Sequence, residues 1–505
     1  MALAKTLNER IPRRAILGSM MFLAAMFSYV GRTNLSMIIV AMVEPLGKNS
    51  STPPCHPDFG LNTTKVAEKP NYGVRFPWGE GIQAVILGAY FVGTVPSSAP
   101  AGYLAEKIGG SRVVAFATLI PAVLNLLMPW AAKVTIVPGY ALVCIIRFIM
   151  GFFGSAVYPA LHAMIARWVP PSEKGMFVWT MQGGPFGTFV TLTLCGLIIH
   201  YWKSWELAYY VTSGLMLIFY VLWVYLIYDT PDEHPTITEK EKNYIKEQIG
   251  TTVSKKQNKL PLESIATSLP FIVLLYAHFA NMWGIYFIAS YGPKYLSQIL
   301  GFDMKNSGAL SGSPYIARLF AGVVFAAAGD YCRRKSIVTL GSLRRIFMLF
   351  SHCGPAVCLL VATYAGCDRT LVVAMIILSL TFNGAACQTS LQNHQDLAPN
   401  FAGSLYGIMN TFGSFSGFIV PAVVGLLTKD HNGLEEWRYV FWLSAIIFFS
   451  STVSFWLFGS TDIQPWNNVE SNARSADYAA EEELQEKVPM KGVQSNGEED
   501  ENEKL

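Results

Sequence analysis

The chain contains twelve runs of apolar residues that are each long enough to cross a lipid bilayer as a helix. A bilayer core of about 30 Å needs roughly 20 apolar residues per helix. Only 14% of the 505 residues are charged and 52% are hydrophobic, whereas about a quarter of the residues are charged in ordinary soluble domains. This balance excludes a soluble enzyme, a disordered protein and a disulfide-rich scaffold. We therefore predict an all-α membrane protein with twelve transmembrane helices.

One hydrophilic segment in the middle of the chain separates six of these runs from the other six. The predicted parts are an N-terminus at 1–14, a first six-helix bundle at 15–228 with a long loop at 44–81, a linker at 229–266, a second bundle at 267–459 and a tail at 460–505. The tail carries twelve acidic and four basic residues. Such a composition predicts a disordered, acidic segment.

The basic residues of the short loops predict the orientation of the chain. They cluster before the first run and after even-numbered runs, as with Arg13 and Arg14 or Arg167 and Lys174. Because such residues favour the cytosolic side, both termini are expected in the cytosol.

The long loop then lies outside, where Asn49 and Asn62 begin two glycosylation sequons. Cys55 and Cys367 fall in loops on that same face. A disulfide between them and two free thiols are both open at this point.

Three arginines lie inside the predicted spans, which contain no Asp, Glu or Lys. They are Arg32, Arg147 and Arg318 in the first, fourth and eighth runs. A charge at the bilayer centre costs about 2.5 kcal/mol or more, so each must face a water-filled cavity or a partner. Guanidinium groups match carboxylates and phosphates, which predicts an anion pathway. Hydrogen bonds to backbone carbonyls of a broken helix are the structural alternative for each arginine.

Polar side chains in the other runs are candidates for the same cavity. They are Tyr90, Tyr158, His162, His278, Asn281, Tyr286, Tyr315, Asn383 and Gln388. We expect Tyr90, Asn281 and Asn383 to contact the anion, with hydrogen-bonded packing as the alternative. His162 can carry a proton near neutral pH, which makes it the candidate for coupling to a proton or another cation.

Two loops at equivalent places in the two halves carry a glycine, an acid and a cluster of bases. GYLAEKIGGSR contains Glu106 and Arg112, and GDYCRRKS contains Asp330, Arg333 and Arg334. The preference of bases for the cytosolic side explains the bases but not the repeated acid. We predict that these residues form a gate, pairing when the cytosolic side is shut and separating when it opens.

Three segments resemble the anion–cation symporter branch of the major facilitator superfamily, which includes vesicular glutamate transporters, sialin and type I sodium–phosphate cotransporters. They are RTNLSMIIVAMV (32–43), RFIMGFFGSAVYPALHAMIARWVPPSEKG (147–175) and NHQDLAPNFAGSLYGIMNTFGSFSG (393–417). The resemblance covers nearly all of 11–460 and is strongest to arthropod proteins named as inorganic phosphate cotransporters. It implies two six-helix bundles around a central site that work by alternating access. It also implies functional roles for Arg32, Arg147 and His162.

The chain departs from this family pattern at positions that bear on coupling. Gly154 stands where sialin and the glutamate transporters have a glutamate, Asn281 where the latter have an arginine, and Leu87 where they have a histidine. Arg318 occupies a position that is usually apolar or aromatic, from which it can supply a third positive group. These differences weaken proton coupling and favour sodium, which needs no carboxylate.

Together these features predict a secondary active transporter of inorganic phosphate or a small organic anion, coupled to sodium or a proton. We expect a monomer in the plasma membrane, with no cofactor, metal site, nucleic-acid partner or enzymatic activity. One alternative is a proton-coupled transporter of sialic acid or acidic amino acids in lysosomes or vesicles. The other is a non-transporting receptor or scaffold, against which the three buried arginines argue.

Overall fold

Twelve membrane-spanning helices make up most of the computed structural model, which describes residues 12–44, 55, 71–134, 138–170, 177, 179–250, 261–429 and 431–468. Each is long and apolar enough to cross a bilayer, as predicted. They are α1 (Arg13–Met42), α2 (Glu80–Ser98), α3 (Gly110–Lys133), α4 (Gly139–Ile165), α5 (Gly183–Trp202), α6 (Trp205–Leu226), α7 (Leu269–Ile299), α8 (Met304–Arg334), α9 (Leu340–Tyr364), α10 (Arg369–Leu397), α11 (Ser404–Leu427) and α12 (Leu434–Phe458). No strand forms in the described ranges.

The helices fall into a first half, α1–α6, and a second half, α7–α12. Helices suit this setting because they satisfy their own backbone hydrogen bonds in a medium without water. We call the face that holds Arg13 the inner face and the opposite one the outer face. A further helix in the segment between the halves, Glu239–Gly250, contacts the start of α1 on the inner face, where Glu241 Oε1 lies 3.1 Å from Arg14 Nε.

Several spanning helices are irregular at mid-depth. The helix of α4 breaks at Ser155 and continues from Val157 to Trp168. A π-helical turn interrupts α9 at Leu349–Cys353, and α10 tightens into a 3₁₀ turn at Gly384–Gln388. Such interruptions free backbone groups that need partners, and they occur where helices line polar interiors.

The two halves meet on the outer face and separate on the inner face. The largest apolar cluster joins side chains of both halves at the outer ends, among them Met42, Tyr209, Tyr291 and Trp437. Towards the inner face each half has its own cluster, one within the first half and two within the second. The protein is therefore closed on the outer face and open on the inner face.

The helices extend beyond the predicted spans, and this corrects one expectation. The spans were expected to hold no Asp, Glu or Lys, yet α2 begins at Glu80 and α7 includes Lys294. Both side chains are almost fully buried. The predicted spans end before these residues because a charged residue lowers the mean hydropathy of its segment. This happens even when the charge is paired inside the protein.

Loop residues bear on two other expectations. Cys55 and Cys367 form a disulfide, which connects the loop after α1 to the turn before α10. Arg369 also donates a hydrogen bond to the carbonyl of Cys55 at 2.9 Å. Asn49, Asn62 and most of the acidic tail lie outside the described residues.

Candidate functional site

Arg32 of α1 lies at the seam between the halves, at mid-depth of the bundle. Its Nη1 donates to Tyr286 Oη of α7 at 3.5 Å, and its guanidinium carbon lies 4.5 Å from the ring centroid of Tyr29. Its Nε is buried and has no hydrogen-bond partner in the part of the chain that the structure describes. No described carboxylate lies within ion-pair distance. Aromatic faces stabilise this cation in place of a counter-ion, which leaves donors for an incoming anion.

Arg147 of α4 is oriented differently and is only 1% exposed. It donates to the backbone carbonyls of Gly31 at 2.8 Å and Arg32 at 3.0 Å. Both terminal nitrogens therefore contact the main chain of α1, so Arg147 fixes the backbone that carries Arg32. The expected contact of Arg147 with an anion stays a prediction.

Arg318 of α8 begins a chain of polar side chains in the second half. Its Nε donates to Asn383 Oδ1 at 2.9 Å. Asn383 Nδ2 in turn donates to Asn281 Oδ1 at 2.9 Å and to the carbonyl of Ser351 at 3.1 Å. The two asparagines thus hold Arg318 in position, while Asn281 Nδ2 is buried without a partner.

The two arginines Arg32 and Arg318 share one aromatic surrounding although they belong to different halves. Tyr29 interacts electrostatically with both of them. Tyr90 also lies between charges, since its ring centroid is 5.5 Å from the guanidinium carbon of Arg32 and 4.7 Å from that of Arg147. The structure thus brings the predicted residues Arg32, Arg318 and Tyr90 into one region at the seam.

The presence of glycine at position 154 has a steric explanation that the sequence alone does not reveal. A Cβ atom on Gly154 would lie 2.6 Å from Tyr90 Oη. The tyrosine hydroxyl therefore fills the space that a side chain at this position would need. Leu87, the other departure on α2, is buried in the apolar cluster at the outer ends.

Histidines surround Tyr406 on the inner side of the cavity. The ring centroid of Tyr406 lies 5.4 Å from that of His394, 6.2 Å from that of His278 and 6.3 Å from that of His162. His162 is exposed at the inner opening. Three of these residues come from the second half, whereas His162 faces them from the first.

Buried charges join the halves on the outer face. Lys294 Nζ of α7 donates to Glu80 Oε2 of α2, and it also donates to Gln83 Oε1 at 2.9 Å. Nearby, His200 Nδ1 lies 3.5 Å from Asp303 Oδ2. Among the described residues, Lys294 and Glu80 form the ion pair of a lysine and a carboxylate that connects the halves. The contact of His200 with Asp303 lies on the same closed face.

Each described ion pair on the inner face stays within one half or the segment between the halves. Arg112 Nε lies 3.8 Å from Asp229 Oδ2, and Asp330 Oδ1 accepts from Gln388 Nε2 at 3.5 Å. Arg333 and Arg334 are exposed, and the side chain of Glu106 lies outside the described residues. No ion pair among the described side chains joins the predicted gate residues to one another, and the gate stays a prediction.

A further ion pair on the inner face was not predicted. Arg344 of α9 donates to Asp396 of α10 through Nε at 2.8 Å and through Nη2 at 3.2 Å. Like Glu80 and Lys294, these residues stand at the ends of hydropathy runs. Complementary charges at the ends of different spans are the signal that could have identified both pairs, although it does not say which ends meet.

A family profile described as Major Facilitator Superfamily matches residues 21–421. The chain belongs to this superfamily. It is a multi-pass membrane transporter of this family and not an enzyme.

Relatives in three groups match nearly the whole chain. A "Putative inorganic phosphate cotransporter" of Drosophila ananassae is 32% identical over 89% of this chain and 93% of its own length. Sialin of Homo sapiens is 34% identical over 87% of each chain. Vesicular glutamate transporter 2 of Homo sapiens is 30% identical over 95% of this chain and 79% of its own length. The resemblance to this group of transporters is thereby confirmed.

Solved structures show the same fold. A D-xylose–proton symporter has a TM-score of 0.64 at 13% identity and covers 89% of this chain and 98% of its own. A bacterial homologue of the human lysosomal transporter Spinster has a TM-score of 0.63 at 10% identity over 88% and 97%. The two bundles of six helices are thus the superfamily arrangement.

Proposed function

We propose that the chain is a secondary active transporter that carries inorganic phosphate or a small organic anion together with a cation by alternating access. The observation that carries this proposal is Arg32. Its guanidinium stands at the seam of the two halves, without a carboxylate partner among the described residues and with Nε unbonded. A buried cation in that state is stabilised best by an anion that arrives as the substrate.

The position of Arg32 suits a carrier that exposes its site to each side in turn. The residue contacts Tyr286 of the other half, so an anion bound there touches both halves at once. Neutralising the cation lowers the cost of burying it while the halves rock over the site. Arg318, already bonded to Asn383, supplies a second positive charge from the opposite side.

The names of the relatives support an anionic substrate. Phosphate and glutamate, the two substrates that those names print, are both anions at neutral pH. They differ in shape, and the residues at the seam offer donors that fit either one. We therefore propose the class of small anions and give inorganic phosphate first.

Sodium is the first coupling ion that we propose. The membrane potential opposes uptake of a negative charge by about 2.3 kcal/mol per 100 mV, so each monovalent anion needs at least one cation for neutral transport. No described carboxylate accompanies the three arginines of the seam, and a sodium site can be built from amide, hydroxyl and backbone oxygens. We propose that the protein acts as a monomer in the plasma membrane.

A proton is the second candidate, and one observation favours it. His162 is exposed at the inner opening and faces Tyr406 of the other half, with the ring centroids 6.3 Å apart. A histidine at that place can take up a proton from water in the opening. On this alternative the protein is a proton-coupled transporter of organic anions in a lysosomal or vesicular membrane.

Uptake into proteoliposomes tests both candidates. Radiolabelled phosphate, glutamate and sialic acid are offered to the purified full chain under a sodium gradient, a proton gradient or neither. We expect accumulation of one anion that depends on the sodium gradient, and its loss in Arg32→Gln. Arg345→Gln is the matched control, because Arg345 is an exposed arginine outside the cavity. Accumulation under a proton gradient alone would support the second candidate, and accumulation of none of the three would contradict the proposed function.

A further inference from the structure

His278 of α7 is a buried polar side chain that the proposed anion site does not use. The residue is 0% exposed, and neither Nδ1 nor Nε2 has a hydrogen-bond partner among the described residues. An imidazole always carries at least one N–H donor, and leaving it unpaired in the interior is unfavourable. Such a group needs a functional explanation.

A second histidine beside Tyr406 has one ring nitrogen in this state. Nδ1 of His394, at the inner end of α10, is also buried and unpartnered. The ring of Tyr406 stands beside both imidazoles, at centroid distances of 6.2 Å and 5.4 Å. His352 of α9 differs, because its Nδ1 lies 2.7 Å from Ser351 Oγ and its Nε2 lies 2.9 Å from the carbonyl of Ala277.

Titratable and charged groups from α9 and α10 surround this pair. His352 from α9 and His394 from α10 both act on His278 as potential positive charges, and Arg344 acts on His394. The nearby carboxylate of Asp396 is already paired with Arg344. An anion bound nearby would supply the negative charge that stabilises an imidazolium.

Tyr406 connects the histidines to the anion site. It interacts electrostatically with Arg318 and with Tyr29. It also interacts electrostatically with Tyr286, which accepts a hydrogen bond from Arg32. His162 approaches Tyr406 from the first half. An anion that binds near Arg318 therefore adds negative charge close to Tyr406.

We propose that His278 and His394, with Tyr406 between them, form a proton-binding site that fills when an anion enters the cavity. A proton from water in the inner opening adds to an imidazole nitrogen lone pair, and no bond of the protein breaks. The proton balances one charge of the anion, whichever cation gradient drives the flux. The inference rests on the proposed anion transport, because the anion supplies the charge that holds the proton.

Binding of the anion must then raise the affinity for the proton, and binding of the proton must raise the affinity for the anion by the same factor. For one linked proton, the affinity for the anion rises about 10-fold for each unit by which the pH falls within the responsive range. Removing the histidines removes this dependence without removing the anion site.

Proton uptake on anion binding tests the proposal. The purified full chain in weakly buffered detergent solution, with and without sodium, is titrated with phosphate, glutamate or sialic acid while an indicator dye reports proton uptake. Affinities are measured from pH 5.5 to 8. The added anions can themselves gain or lose protons in this pH range. Comparing wild type with each variant at the same pH cancels that contribution. The variants are His278→Gln, His394→Gln and their double variant, with His352→Gln as the matched control for a buried histidine that is already hydrogen-bonded.

We expect wild type and His352→Gln to take up about one proton per bound anion beyond the uptake of the double variant. The ratio of the wild-type affinity to that of the double variant should rise about 10-fold for each unit by which the pH falls within the responsive range. Unchanged proton uptake in a folded double variant that binds the anion would overturn the inference and leave the proposed function intact. Failure of every variant and of wild type to bind any of the three anions would contradict the proposed function as well.

Discussion

Lys294 and Glu80 form an ion pair between the two halves of the transporter, and both side chains are almost completely buried. Their exposed fractions are 2% and 3%, and Gln83 accepts a further hydrogen bond from Lys294. The pair lies at the outer ends of α7 and α2. It can persist only while the outer face is closed, because opening that face separates the two helices.

Glu80→Gln is expected to shift the protein towards the outward-open conformation. Removing one partner of a buried pair destabilises the arrangement by about 3–5 kcal/mol, since the other charge stays buried alone. The distance between spin labels on Trp130→Cys and Tyr364→Cys, which are exposed positions at the outer ends of the two halves, should lengthen. The native free cysteines are replaced in this background.

The reversed pair Glu80→Lys with Lys294→Glu is the control for this prediction. It keeps the charges together, so it should restore the shorter distance. A single variant whose label distance equals that of wild type would show that the ion pair does not hold the outer face closed.

Substitutions of Arg32 and Arg147 are expected to have different effects on stability and on uptake. Arg147→Gln removes donors to two backbone carbonyls of α1. A hydrogen bond from a charged group contributes about 1.5–3 kcal/mol, so melting temperature and uptake should both fall. Arg32→Gln should lower uptake while the melting temperature stays near that of wild type, since few of its bonds are to the protein. Equal losses of stability in both variants would contradict this division of roles.

Gly154→Ala is expected to destabilise the protein through Tyr90. The added methyl group would lie 2.6 Å from Tyr90 Oη, and such crowding in a packed interior costs about 1–3 kcal/mol. The double variant Gly154→Ala with Tyr90→Phe removes the hydroxyl and should regain most of the lost melting temperature. If the double variant is no more stable than the single one, the hydroxyl is not the reason for the glycine.

The disulfide between Cys55 and Cys367 is expected to stabilise the outer face without blocking transport. Eleven residue steps separate Cys55 from Glu44, and an extended chain of that length spans about 35–40 Å. The tie between the halves is therefore long enough to follow their motion. Cys55→Ser with Cys367→Ser should keep its uptake and lose melting temperature, as disulfide removal usually does. Loss of uptake at full stability would show that the tie takes part in transport.

The sequence predicted the spans and the seam arginines because both depend on local composition. Hydropathy identifies a spanning helix from one segment, and an arginine in such a segment stands out. The partner of Lys294 lies 214 residues away, so no local pattern could pair it with Glu80.

The use that Arg147 makes of its donors also depends on packing. Arg147 and Arg32 look alike in sequence, and only the approach of α4 to the backbone of α1 distinguishes them. Gly154 is a similar case, because the hydroxyl that explains it belongs to α2. The departure from the family pattern at Gly154 is visible in the sequence, whereas its structural reason depends on a tertiary contact.

The affinity of the purified protein for its anion, measured in wild type and in Arg32→Gln, tests the anion site most directly. A charge-assisted hydrogen bond contributes about 1.5–3 kcal/mol, which corresponds to a roughly 10- to 150-fold weaker affinity when it is lost. We expect a loss in that range for Arg32→Gln and none for the exposed control Arg345→Gln. An unchanged affinity in a folded Arg32→Gln protein would contradict the claim that the anion binds at the seam between the halves.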